Sequence, residues 1–185
     1  MKFEESPLEL ENRRTIYQLI ERYPGIHFRE LYRKLNISMG SFEYHLQVLQ
    51  RSDLIYFKKE GGFTRYFVKG KLGEEDKELA TMLRNDRLRK MMFTLVLNPG
   101  MSHKTLTKEL NWPKSTTSFY LKKLVDKKIV EERTLPENKA SLDTGKPQKG
   151  IYIIRPDKIV HLVVMYKSGF FDELSNRILD LVEVI

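Results

Sequence analysis

Residues 23–55, "YPGIHFRELYRKLNISMGSFEYHLQVLQRSDLI", hold two short helical patterns on either side of a turn and close on an aliphatic pair. Ser38 is a good N-cap for the second pattern, because its hydroxyl can accept an early helical N–H. Phe42, Leu46 and Leu49 then recur at helical spacing and belong to a core. Met39, Gly40, Ser41, Glu43, Tyr44 and Gln47 fall on the opposite side. Any amphipathic helix has a polar side, so this stretch alone does not show that the side reads anything.

The chain repeats the stretch. Shifted by 75 positions, it lies without a gap over residues 98–130, "NPGMSHKTLTKELNWPKSTTSFYLKKLVDKKIV". Pro24-Gly25 falls on Pro99-Gly100, Leu35-Asn36 on Leu110-Asn111, Ser41 on Thr116, Leu46 on Leu121 and Leu49 on Leu124. Two copies of one small unit account for this.

In the first copy Ser6-Pro7 marks a helix start. Ile16, Leu19, Ile20 and Tyr23 recur at helical spacing, and Pro24-Gly25 ends that helix. Ile26 opens a short strand. Phe28, Leu31, Tyr32 and Leu35 line the next helix, and Asn36 follows at its end, where a left-handed residue is tolerated. After Leu54-Ile55 the period becomes strand-like: "IYFKKEGGFTRYFV" is a hairpin around Gly61-Gly62. Strand alternation divides Tyr66 and Phe67 between core and surface. Three helices and a hairpin describe a winged helix whose second and third helices form a helix-turn-helix.

The second copy has the same order. Leu88, Met92, Leu95 and Val96 face the core from its first helix, Leu106 and Leu110 from its second, and Thr117, Leu121 and Leu124 from its third. Its hairpin strands are "IVEERT" and "GIYIIR", and the polar, proline-containing "LPENKASLDTGKPQK" between them reads as a mobile wing tip. The fold class is therefore mainly α with small β-hairpin wings. Residues 1–72 form one winged helix-turn-helix domain, 73–85 a charged connecting helix, 86–155 a second such domain and 156–185 a C-terminal helical extension. The last helix, after a bend near Ser168-Gly169, carries Phe170, Phe171, Leu174, Ile178, Leu181 and Val182. That is more apolar surface than a solvated tail tolerates, so it packs on its own domain or pairs two chains as a homodimer.

The net charge of +8 favours an anionic partner, with nucleic acid ahead of membrane. The absence of cysteine excludes disulfides and thiolate chemistry and fits a reducing interior. The N-terminal sequence is not that of a signal peptide, and Ile159 to Tyr166 is too short to span a bilayer. These features read as a soluble cytoplasmic protein. The four histidines have no metal-ligand spacing, and no nucleophile elbow, P-loop or catalytic carboxylate pair occurs, so neither enzyme, metal site nor cofactor is expected. His45 reads as a packing residue.

A helix can present its outward side chains to base edges in a major groove. The candidate contacts to double-stranded DNA are Met39, Ser41, Glu43, Tyr44 and Gln47 in the first copy and Lys114, Ser115, Thr116, Ser118, Phe119 and Lys122 in the second. Gln47 can pair with adenine. Glu43 can accept from a cytosine amine, but it also repels phosphate. In the wings, Lys58, Lys59 and Arg65, and then Lys139, Lys146 and Lys149, are the cations for the phosphate backbone.

Both repeated stretches resemble the helix-turn-helix of ArsR-like and MarR-like winged-helix regulators, and "GGFTRYFV" resembles their wing. Two such units followed by "PDKIVHLVVMYKSGFFDELSNRILDLVEVI" are similar to archaeal tandem winged-helix transcription regulators. The resemblance covers nearly the whole chain and implies sequence-specific promoter binding through recognition helices and wings. Some such regulators activate transcription by helping basal transcription factors onto weak promoters, the archaellum activators of methanogens being one group. Metal sensing of the ArsR type uses cysteine or histidine ligands, and a chain without cysteine departs from that pattern. Tandem winged helices also serve as protein-binding modules, as in the kleisin partners of condensin-like complexes, although those tend to be acidic. A replication initiator is a third reading.

Overall fold

The computed structural model describes residues 8, 10–60, 62–134 and 149–166. The chain divides into two compact units, one ending at Arg84 and the other beginning at Asn85. The expected wing tip and last helix lie outside the described residues.

The first unit runs α1 (Glu11–Arg22), β1 (Ile26–His27), α2 (Phe28–Arg33), α3 (Met39–Arg51), β2 (Ile55–Glu60), β3 (Phe63–Val68) and α4 (Glu74–Leu83). Its antiparallel sheet has the order β1-β3-β2, with Tyr66 opposite Ile26 on one side and Phe57 on the other. Ile16 and Ile20, one turn apart on α1, meet Leu31 of α2 and Phe42, Leu46 and Leu49 of α3 in the core. Ile26, Ile55, Tyr66 and Val68 close that core from the sheet.

The second unit runs α5 (Asp86–Leu97), α6 (His103–Leu110), α7 (Lys114–Asp126), β4 (Val130–Thr134), β5 (Lys149–Ile153) and α8 (Pro156–Met165). An isolated bridge between Met101 and Ile151 stands where the first unit has β1. The repeat extends to backbone detail. Gly25 and Gly100 both have positive φ, and their N–H groups donate to the Tyr66 and Ile151 carbonyls, each at 2.9 Å. After α3 and α7, Asp53 and Lys128 are left-handed at φ 58° and 54°. Leu54 N–H then donates to the Leu49 carbonyl and Ile129 N–H to the Leu124 carbonyl, which satisfies a helix-end carbonyl in each unit.

Four local expectations are corrected. The first helix begins at Glu11, not at Ser6-Pro7; Leu8 is a turn residue packed against the core, which sets the chain's entry to the helix. The second helix stops at Arg33, and Asn36 is not left-handed. Short bonds from Lys34 N–H to the Leu31 carbonyl and Leu35 N–H to the Tyr32 carbonyl tighten that end, so no left-handed residue is required. Its counterpart Asn111 does adopt φ 52°.

Tyr66 and Phe67 are both buried, because each face of β3 is covered. Tyr66 enters the main core, while Phe67 stacks on Tyr56 at 5.5 Å on the other face. The fourth correction concerns α4, which lies within the first unit and covers that other face. Lys77 Nζ lies 4.5 Å from the Tyr56 ring centroid, and Arg84 at the helix end pairs with Glu30. Leu79 through Leu83 are all buried, so this is a packed helix and not only a charged connector.

Candidate nucleic-acid interface

Each candidate reading helix is fixed from inside by its own unit. On α3, Phe42 is fully buried, with ring centroids 4.9 Å from Phe28 and 5.4 Å from Tyr32. Ser38 Oγ accepts from the Ser41 N–H at 3.3 Å and caps the helix. On α7, Thr117, Leu121 and Leu124 are buried, and the helix starts after Pro113 without a side-chain cap.

The outward residues of each helix form one face. Met39, Glu43, Tyr44 and Gln47 are exposed on α3, with Ser41 half-buried at its start. Lys114, Ser115, Ser118, Phe119 and Lys122 are exposed on α7, with Thr116 half-buried at the position matching Ser41. Tyr44 and Phe119 occupy matching places and are 59% and 56% exposed, unusually high for aromatic rings on a helix. Each lies against the ring of the next residue: Tyr44 edge-on to His45 at 5.4 Å, and Phe119 edge-on to Tyr120 at 5.2 Å.

The two faces differ in charge. Helix α3 carries Glu43 and Arg51, whereas α7 carries Lys114, Lys122, Lys123 and Asp126. Burial pushes the Tyr66 hydroxyl up to about 12, with the nearby Glu43 carboxylate adding to the shift. Glu43 therefore acts on the sheet of its own unit as well as facing solvent.

The wing cations are not equivalent. Lys58 and Lys59 are exposed on β2. Arg65, across the ladder from Lys58, is half-buried, and its Nη1 donates to the Gly25 carbonyl at 2.9 Å. In the second unit, Lys149 lies 3.3 Å from Glu132, while Lys139 and Lys146 lie outside the described residues.

Several residues on or near these faces and the first wing have no place in the sequence reading. Arg29 and Lys104 are exposed cations at matching positions in the first turns of α2 and α6, where a helix N-terminus favours phosphate. Applying the shift of 75 to every charged residue reveals this pair. His103 Nε2 lies 3.0 Å from Ser118 Oγ, linking α6 to the outward face of α7. Phe57 and Phe63 remain exposed on the first wing. His27 caps α2, its Nδ1 accepting the Glu30 N–H at 3.2 Å. Burial is the largest effect lowering the His27 pKa; Glu30 opposes it, while Arg65, Arg84 and Arg33 reinforce it.

Among the described residues, no cluster of three His, Cys, Asp or Glu side chains could hold a metal ion. Nor is any helix there long and apolar enough to cross a membrane.

Two helix-turn-helix units in tandem, each with a strand hairpin and an outward-facing third helix, define a tandem winged helix-turn-helix protein. Family comparison agrees for each half: residues 10–79 match an N-terminal HTH domain model, and residues 84–131 match a winged helix-turn-helix DNA-binding model. Over 130 residues the chain is 30% identical to an uncharacterized HTH-type transcriptional regulator of Methanocaldococcus jannaschii. The match covers 70% of this chain and 32% of that relative, so the chain spans about a third of the relative's length. The two models follow one another along the chain and mark two successive helix-turn-helix domains, the second of the winged DNA-binding kind.

Proposed function

We propose that this protein is a sequence-specific, double-stranded-DNA-binding transcription regulator that acts at promoters without enzymatic chemistry. The observation that carries the reading is the pair of matching outward faces on α3 and α7, each on a helix that follows one with an exposed cation in its first turn. In this reading Met39, Ser41, Glu43, Tyr44 and Gln47, with Lys114, Ser115, Thr116, Ser118, Phe119 and Lys122, face base edges. Lys58, Lys59, Arg29 and Lys104 meet phosphates, and Lys139 and Lys146 belong to the second wing. Arg65 acts mainly by holding the first wing in place. The name of the archaeal relative, a transcriptional regulator, supports the regulatory part.

The two units form separate DNA-binding domains, and α7, with its additional lysines, contributes more of the phosphate affinity than α3. Recruitment of basal transcription factors and homodimerisation through the apolar C-terminal residues extend the same reading. The protein acts in the cytoplasm, where the promoter lies.

Selection of bound sequences from random duplexes, followed by affinity measurement across a salt series, tests the function. A preferred site whose affinity falls steeply with salt is the expected result. Binding that is absent, or indifferent to salt, rejects DNA reading and favours a protein-binding module. Light scattering at micromolar concentration tests the dimer.

A further inference from the structure

Of the six outward positions compared between α3 and α7, most change chemistry between the units. Met39 corresponds to Lys114, Glu43 to Ser118 and Gln47 to Lys122. Tyr44 and Phe119 instead keep an aromatic ring at the same place and nearly the same exposure. An exposed ring costs solvation wherever it has no apolar partner, so its presence in both helices calls for a shared apolar target.

The rings are also held. Phe119 stands edge-on to Tyr120, which itself packs 5.7 Å from Trp112. Lys123 Nζ lies 4.7 Å from the Phe119 ring centroid, placing a cation beside the ring. Tyr44 is braced by His45, a buried residue of the same helix. A propped ring loses little conformational freedom when it meets a ligand.

Phe119 has no hydrogen-bonding atom in its side chain, so it cannot read a donor or acceptor on a base edge. The 5-methyl group of thymine is the apolar feature that distinguishes bases in the major groove. We propose that Tyr44 and Phe119 are the paired thymine-reading side chains of the two recognition helices, each packing its ring on a thymine 5-methyl group. The assignment rests on the DNA-binding reading above and specifies the base chemistry that it selects. Gln47, one turn from Tyr44, is placed to pair with an adenine near the same thymine, so the first unit selects an A·T-rich half-site.

The test uses the full chain and the best site from random-duplex selection, with each thymine replaced in turn by deoxyuridine. This removes only the methyl group. At one position for each unit, wild-type affinity should fall about fourfold, the equivalent of ~0.8 kcal/mol for one buried methyl-sized group. Phe119→Ala should lose a similar factor on the thymine site and show no further loss on the deoxyuridine site; Tyr44→Ala should do the same at the other position. Equal wild-type affinity for thymine and deoxyuridine at every position, with the selected site still preferred, overturns this proposal and leaves DNA reading intact. An unchanged thymine preference in Phe119→Ala likewise overturns the assignment to Phe119. Failure to select any site, with binding indifferent to salt, rejects the DNA reading and the proposal with it. The deoxyuridine comparison needs no protein variant, so a folding defect cannot obscure it.

Discussion

The Arg65 Nη1 group donates to the Gly25 carbonyl at 2.9 Å, tying the return strand of the first wing to the turn before its helix-turn-helix. Arg65 is thereby a joint within the unit, unlike its ladder neighbours Lys58 and Lys59, which are exposed. Arg65→Ala should lower stability by about 1–3 kcal/mol, since a hydrogen bond from a charged group to a part-buried carbonyl is lost. Thermal unfolding measures this. Lys58→Ala with Lys59→Ala should leave the melting temperature near wild type and weaken selected and random duplexes alike. The log–log salt slope should shrink by about two if both lysines meet phosphates. An unchanged slope would take the first wing off the DNA backbone.

The same helix supplies a contrast between folding and reading. Phe42 is fully buried between the rings of Phe28 and Tyr32. Phe42→Ala should cost about 3–5 kcal/mol of stability. Gln47 is exposed, and Gln47→Ala should relax preference at one base position by about 1–3 kcal/mol while preserving general affinity. Unfolding curves and competition between operator variants separate the two effects. If Ser41, Tyr44 and Gln47 can all become Ala without changing operator preference, α3 does not read bases.

Two glycines with similar backbone angles should respond differently to a methyl group. Gly62 has φ +79° and open space around a would-be Cβ, so Gly62→Ala should cost about 1–2 kcal/mol from the left-handed backbone alone. At Gly100, with φ +82°, a Cβ would lie 2.7 Å from Tyr152 Oη and 3.0 Å from Cζ. Gly100→Ala must displace that ring as well and should cost more than Gly62→Ala. Denaturant titration of the two variants ranks them, and equal costs would show that Tyr152 moves freely.

Acid should loosen the first unit through two histidines. Burial is the main cause lowering the His45 pKa, followed by Arg13; His27 is lowered by burial and three arginines against the opposing effect of Glu30. In both cases the folded pKa lies below the ordinary 6.5, so the unfolded chain binds a proton more readily. This contribution is fully present above pH 6.5 and is lost as pH falls towards the lowered folded values. Protonating His27 Nδ1 also removes the acceptor that caps α2. His27→Ser installs the residue type that caps α6 at the matching position, Ser102, and does not titrate. Its melting temperature should fall less between pH 7.5 and 5.5 than that of wild type; an unchanged pH dependence would remove His27 from this account.

What the sequence determined by itself was the tandem winged-helix plan, because that information is local and occurs twice. The Pro-Gly turns, the spacing of Phe42, Leu46 and Leu49 against Thr117, Leu121 and Leu124, and the strand periodicity around Gly62 need no distant partner to be read. The outward faces of α3 and α7 follow from the same periodicity. Tertiary structure decided the features that depend on what lies across space. Phe67 is buried because α4 covers the second face of the sheet, and Arg65 is restrained because Gly25 offers a carbonyl 40 positions away. Asn36 and Asn111 occupy equal places in the repeat, yet Asn111 is left-handed and Asn36 is not. Bonds from Lys34 and Leu35 to carbonyls three residues back end α2 before Asn36 is reached, whereas α6 runs on to Leu110 and leaves Asn111 as its left-handed cap.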